Sequence, residues 1–202
     1  MEGADRRILG VVLAGGLARR MGGGDKALLP INGRPMMAVL LERLRPQVSA
    51  LAVSANGDPA RFAAAAPGLA VVADSIPGHP GPLAGILAGM DHAAALGMGW
   101  VLTVPGDTPL VPMDLAARLR EAAAPIACAA SGGEIHPPVA IWPVSLRGAL
   151  RAAVLAGEGK VSRWAREHGC ALVEWAGEPF LNANTPEELA VLEEAEREEL
   201  RA

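Results

Sequence analysis

Apolar positions along this chain fall into two alternating rhythms. Short continuous apolar runs at residues 8–14, 51–54, 70–73, 100–104 and 126–130 have the length of buried strands. Between them lie segments with helical spacing: within 34–44, Met37, Leu40, Leu41 and Leu44 share one face. Helices are likewise predicted over 59–66, which Pro67-Gly68 ends, over the Ala- and Gly-rich 83–96, and over 113–123, 146–155 and 160–168. A late strand follows at 171–175. Residues 134–142 read as an edge strand, because Pro137 and Pro138 lack the N–H groups a central ladder needs. The last helix opens on Thr185-Pro186-Glu187-Glu188: an N-cap, a proline at the first helical position and an acid at the third. Its stretch from Glu193 to Glu199 reads as a solvated acidic face. Strand–helix alternation of this kind predicts an α/β fold in three layers, a mostly parallel sheet with helices on both faces. No repeat or linker divides it, so residues 1–202 are expected to form one domain.

Composition narrows the reading. Apolar residues make up 51% of the chain and aromatic ones only 3%, so Ala, Val and Leu must fill most of the core. A net charge of −4 disfavours a nucleic-acid binder, which carries a basic patch or stripe. No apolar run reaches the length of a membrane span, and residues 1–14 lack a signal-peptide cleavage site. Cys128 and Cys170, distant in sequence and flanked by apolar residues, read as buried reduced thiols of a cytoplasmic protein. His79, His92, His136 and His168 show no metal-ligand spacing with them.

Candidate chemistry concentrates where the first strand ends. The run 8–14 empties into a loop holding five glycines, two arginines and Lys26. Glycines let backbone N–H groups turn inward and let a ligand approach closely, and Arg19, Arg20 and Lys26 add positive charge beside them. The loop is neither a P-loop, since Lys26 precedes Ala27, nor a dinucleotide fingerprint, since Gly15, Gly16 and Gly22 have the wrong spacing. Its composition describes a seat for a polyphosphate.

In open parallel sheets, ligands bind beyond the carboxyl ends of the strands. The second predicted strand ends at Ser54, with Asn56 just beyond; Asp74 follows the third, and Pro105-Gly106-Asp107-Thr108-Pro109 follows the fourth. Four strand ends in succession thus deliver polar groups to one rim. Asp107 there is a candidate ligand for a hard cation such as Mg²⁺, which takes carboxylate and phosphate oxygens. Asp74 is either a nucleotide contact or a turn residue closing its strand.

Leu13-Ala14-Gly15-Gly16, then Arg20-Met21-Gly22, then Asp25-Lys26 resembles the signature loop of Rossmann-like nucleotidyltransferases with a glycosyltransferase-A-type fold. The two-glycine form resembles the molybdenum cofactor guanylyltransferase family; related cytidylyltransferases usually carry Leu-Ala-Ala-Gly. The resemblance implies that Leu13, Ala14, Gly15, Gly16, Lys26, Ser54, Asn56, Asp74 and Asp107 bind nucleotide, that Asp107 holds Mg²⁺, and that Asp107, Lys26 and Arg20 serve catalysis. Ser54 is a departure, since Asn is usual there. On the second-substrate side the resemblance places Pro82 and Gly85 of Pro80-Gly81-Pro82-Leu83-Ala84-Gly85, His136, and Asn182 and Asn184 of Phe180-Leu181-Asn182-Ala183-Asn184. Read from the residues alone, the two asparagines are equally turn residues before a capped helix.

The implied reaction transfers GMP from GTP to the terminal phosphate of molybdopterin, releasing pyrophosphate. Implied partners are these two substrates and other proteins of molybdenum-cofactor biosynthesis or delivery, with neither nucleic acid nor membrane. Gly15 leaves room for a purine and so favours GTP over CTP. The competing expectations are a cytidylyltransferase or other small-phosphate nucleotidyltransferase of the same fold, and a non-catalytic GTP-binding delivery protein.

Overall fold

The computed structural model describes residues 6–15, 24–76, 78, 81–122 and 124–201. Their elements in chain order are β1 (Ile8–Leu13), β2 (Pro30–Ile31), β3 (Arg34–Pro35), α1 (Met36–Leu44), β4 (Ala50–Ser54), β5 (Ala70–Val72), α2 (Pro82–Ala95), β6 (Trp100–Pro105) and α3 (Leu115–Glu121). There follow β7 (Ile126–Ser131), β8 (Glu134–Pro143), α4 (Arg147–Leu155), α5 (Val161–Glu167), β9 (Cys170–Trp175) and α6 (Pro186–Arg201). Seven of the strands form one sheet in the order β5-β4-β1-β6-β8-β7-β9. β8 is antiparallel to both neighbours and the other pairings are parallel, so β8 alone runs against the rest. Chain order reverses direction about β1, and the carboxyl ends of β1, β4, β5 and β6 share one rim, the crevice such sheets use for ligands.

Both faces of the sheet are covered, as the alternating pattern predicts. On one, α1 and α3 pack Met37, Leu40, Leu41, Leu44, Leu115 and Leu119 against Val12, Val53 and Val104. On the other, α2, α4 and α5 bring Ile86, Leu87, Met90, Leu150 and Trp164 onto Leu9, Val11 and Trp142. Each such buried side chain is worth about 1.5–3 kcal/mol over leaving it in water. The glycines of α2 set how closely it lies on the sheet. A Cβ at Gly85 would stand 2.9 Å from Ser54 Oγ, and one at Gly89 would stand 2.9 Å from Val11 Cγ2.

Four expectations need correction. β8 is an inner strand, not an edge. The prolines are tolerated because pairing with β7 jumps from Cys128–Ala140 to Ala129–His136, leaving Pro137 and Pro138 in a bulge, while pairing with β6 stops at Ala140. A buried bond holds this bulge: the Thr103 hydroxyl donates to Pro138 C=O (2.7 Å) and accepts from the Trp142 indole N–H (2.8 Å). Next, α1 begins only at Met36, because Arg34 and Pro35 pair with Ile31 and Pro30 across an Asn32–Gly33 turn. Both turn residues have positive φ, 46° and 82°, as a tight hairpin turn requires. The helix expected over 59–66 is a short 3-10 turn at Pro59–Phe62. Finally, Glu196 is not solvated: it is 4% exposed, and the Asn32 amide donates to it at 2.9 Å.

The same asparagine donates to Glu193 C=O (2.8 Å) and accepts from Arg197 Nε (2.9 Å), so one tight turn docks α6. Ile31, Met36, Leu110, Ala183 and Leu192 form a small apolar cluster beneath. The two cysteines are free thiols on adjacent strands, their Sγ atoms 2.9 Å apart. That hydrogen bond, together with burial, pushes the Cys128 thiol far up. Among the described residues, no helix is long and apolar enough to cross a membrane.

Candidate active site

The parallel ladder continues past the strand ends. Ala14 N–H donates to Ser54 C=O, Ala55 N–H to Val72 C=O, and Gly106 N–H to Leu13 C=O, each at 2.9 Å. The residues just past β1, β4, β5 and β6 therefore leave in step and line a cavity of about 370 Å³. Leu13, Ala14 and Gly15 from the end of β1 line it, with Lys26, Ser54, Asn56, Asp74 and Asp107. Pro82 and Gly85 of α2 line it as well. Ten of the residues expected in the site thus share one space. Among the described residues, a Cβ built on Gly15 would meet no atom within 4 Å, and Gly15 lines the cavity.

One side of this space centres on Lys26. Its Nζ lies 3.5 Å from Asp107 Oδ2 and donates to Asn184 Oδ1. Both charged side chains are mostly buried, 20% and 16% exposed. Asn184 reaches this point because the loop before α6 is shaped by its cap. Glu188 N–H donates to Thr185 Oγ1 (3.3 Å), and the Glu188 carboxylate turns back to accept from Asn184 N–H (2.6 Å). Asn184 Nδ2 contacts Asn182 Oδ1 at 3.4 Å.

A second wall is built by Asn56 and Asp74, which bond reciprocally. Asp74 N–H donates to Asn56 Oδ1 (2.9 Å) and Asn56 Nδ2 donates to Asp74 Oδ2 (2.6 Å). This fixes which way the amide and carboxylate face. Ser54 lies on the cavity floor, 3% exposed, in the narrow gap beneath Gly85.

Three expected residues, His136, Asn182 and Asn184, are not part of the cavity's lining. His136 does not line the cavity: Ser131 Oγ holds its Nε2 at 2.9 Å and its ring rests on Phe180, centroids 5.0 Å apart. Burial lowers its pKa against the pull of Glu134 and Glu174. Gly16 and Arg20 lie outside the described residues. Gly81, Gly106 and Pro138 line the cavity too. Gly81 and Pro138 belong to the two segments whose resemblance placed them near the second substrate, and Gly106 to the Pro105-Gly106-Asp107-Thr108-Pro109 segment.

The family model described as MobA-like NTP transferase domain matches residues 10–172, which puts the chain in the class of nucleotidyltransferases. The chain is 52% identical over 201 residues to a molybdenum cofactor guanylyltransferase of Rhodopseudomonas palustris (strain BisB5), covering 95% of this chain and 93% of that one. It is 50% identical to one of Cereibacter sphaeroides, covering 91% and 94%. The chain belongs to the molybdenum cofactor guanylyltransferase family. Its fold matches the crystal structure of molybdopterin-guanine dinucleotide biosynthesis protein A from Archaeoglobus fulgidus, with a TM-score of 0.74 at 21% identity over 95% of this chain and 99% of that one.

Proposed function

We propose that this protein transfers GMP from GTP to the terminal phosphate of molybdopterin, releasing pyrophosphate. The observation that carries the reading is the Lys26–Asp107 pair, 3.5 Å apart on a cavity whose other wall is the Asn56–Asp74 pair. A phosphate monoester oxygen attacks the α-phosphorus, a P–O bond forms, and the bond to the β-phosphate oxygen breaks. With a second pKa of about 6, the attacking phosphate is already mostly dianionic at neutral pH, so no strong base is required. What the protein must supply is alignment of two repelling anions and neutralisation of the leaving charge.

The donor set suits Mg²⁺. Among the described residues no cluster of three or more His, Cys, Asp or Glu side chains could cage a metal. A single carboxylate completed by substrate phosphates and water is the usual Mg²⁺ arrangement, and Asp107 would hold the ion with Asn184 beside it as a neutral oxygen. When bound, the ion would neutralise phosphate charge. Lys26 places a point charge on the phosphates and is itself oriented by Asn184. Backbone at Ala14 and Gly15 packs against the base, and the space at Gly15 suits a purine. Gly81, Pro82 and Gly85, at the start of α2, face the second substrate. The setting is the cytoplasm, and the product passes to other proteins of molybdenum-cofactor biosynthesis.

Calorimetry with GTP, CTP, ATP and UTP, each with Mg²⁺, tests the nucleotide. A pyrophosphate assay with GTP, Mg²⁺ and molybdopterin tests the reaction. GTP is expected to bind tightest and to yield pyrophosphate. Preference for CTP would make the protein a cytidylyltransferase, and GTP binding without pyrophosphate would make it a carrier.

A further inference from the structure

Arg61 lies outside the cavity, on the short turn after β4, yet its guanidinium joins the cavity's two walls. Nε donates to the Asp25 carboxylate at 2.7 Å, Nη2 donates to Asn56 C=O at 2.6 Å, and Nη1 donates to Asp58 C=O at 2.6 Å. Its flat face rests 4.3 Å from the centroid of the buried Phe62 ring. Gly57, at φ +84°, leaves room: a Cβ there would come within 3.3 Å of Nη1. The Asp25 and Arg61 side chains are only 13% and 27% exposed, so water screens their pair weakly.

Asp25 immediately precedes Lys26, and Asn56 carries Asp74. One planar fork therefore fixes the backbone next to the phosphate-side lysine relative to the Asn–Asp wall. We infer that Arg61 is a positioning residue for catalysis, acting through Asp25 to hold Lys26 at its working distance from Asp107. It touches neither substrate nor metal. The inference rests on the nucleotide reading above.

The test compares Arg61→Gln, Arg61→Lys, Asp25→Asn and the Asp25→Asn/Arg61→Gln double variant with the full-length wild type. Measured are triphosphate affinity by calorimetry, kcat and KM, and amide exchange at Leu28 and Leu29, whose N–H groups bond Asp25 and Lys26 carbonyls. R61Q is expected to lose about tenfold in GTP affinity and up to about a hundredfold in kcat, the scale of a roughly 1 Å misplacement. Exchange should rise at both amides. R61K should recover only part, because an ammonium lacks the fork. The double variant should fall within twofold of R61Q, as for two residues acting as one unit. Losses that multiply in the double variant, or a lower melting temperature with unchanged kcat and KM, would overturn the inference. If the wild type binds none of the four triphosphates, the nucleotide reading falls and takes this one with it. If the wild type binds GTP and R61Q binds and turns over equally well, this inference alone falls.

Discussion

Gly106→Ala is the sharpest perturbation this site offers. Gly106 precedes Asp107, and Ala27 follows Lys26. A Cβ built on Gly106 would stand 2.5 Å from Ala27 Cβ and 3.3 Å from Val12 Cγ1. Carbon atoms in contact ordinarily sit about 3.5–4.0 Å apart, so the shortfall is about 1 Å. A methyl group has no rotamer into which it can retreat, and only a backbone shift relieves the overlap. The segment 25–29 is tied by Leu28 N–H to Asp25 C=O and Leu29 N–H to Lys26 C=O, both 3.0 Å, while Gly106 N–H is tied to Leu13 C=O at 2.9 Å. The displacement therefore goes into the gap between Lys26 and Asp107. Overpacking of this kind costs about 1–3 kcal/mol of stability. A misplacement of about 1 Å costs about a hundredfold in turnover, equivalent to about 2.7 kcal/mol of barrier. The assay is pyrophosphate release at saturating GTP and Mg²⁺, well below the melting temperature, alongside thermal unfolding. Adding Ala27→Gly removes the opposing methyl and should restore most of the activity. If G106A turns over within twofold of wild type, or if A27G restores nothing, the close contact does not set the geometry of the pair.

Asp107→Ala should abolish pyrophosphate release while leaving far-UV circular dichroism unchanged; activity retained in saturating Mg²⁺ would remove Asp107 from the metal role. Lys26→Ala should weaken triphosphate binding by about 1.5–3 kcal/mol, the scale of a lost charged hydrogen bond, and calorimetry that finds unchanged affinity would contradict this. Thr103→Val strands the buried Trp142 N–H and should lower stability to denaturant by about 1–3 kcal/mol. His136 supplies a pH dependence. Its folded pKa lies below the ordinary value of about 6.5, so on acidification the unfolded chain takes up this proton first. Stability should hold above about pH 6.5 and fall as pH drops from there through the folded pKa. His136→Gln should flatten that segment of the curve, and an unchanged slope would refute it.

Much of the fold was legible because periodicity reports burial directly. Four of the strand ends that carry the chemistry were placed from apolar runs alone, and the Thr185-Pro186-Glu187-Glu188 cap was read to the residue. What escaped was set by distant partners. Two prolines argue against an inner strand until a neighbouring hydroxyl, Thr103, is there to hold their bulge. Asn32-Gly33 is a strong hairpin signal, but with only two paired residues on each side it has no apolar rhythm to accompany it. The close approach of Gly85 to Ser54 likewise depends on another element, α2. Arg61 carries no local signal, since its role depends on Asp25, 36 positions away. Asn184 was ambiguous in sequence, and its contact with Lys26, across 158 positions, is one that no local pattern announces.

That last contact bears on how the molecule comes into being. A ribosome releases β1 and its lysine early and the whole sheet by Trp175, yet the amide that orients the lysine follows only with the segment capping α6. The strands are therefore made before the amide that contacts the lysine, and the last of the buried apolar side chains, Phe180, Ala183 and Leu192, arrive with it. A stop just after β9 would remove that amide together with Phe180, Ala183 and Leu192 of the buried clusters.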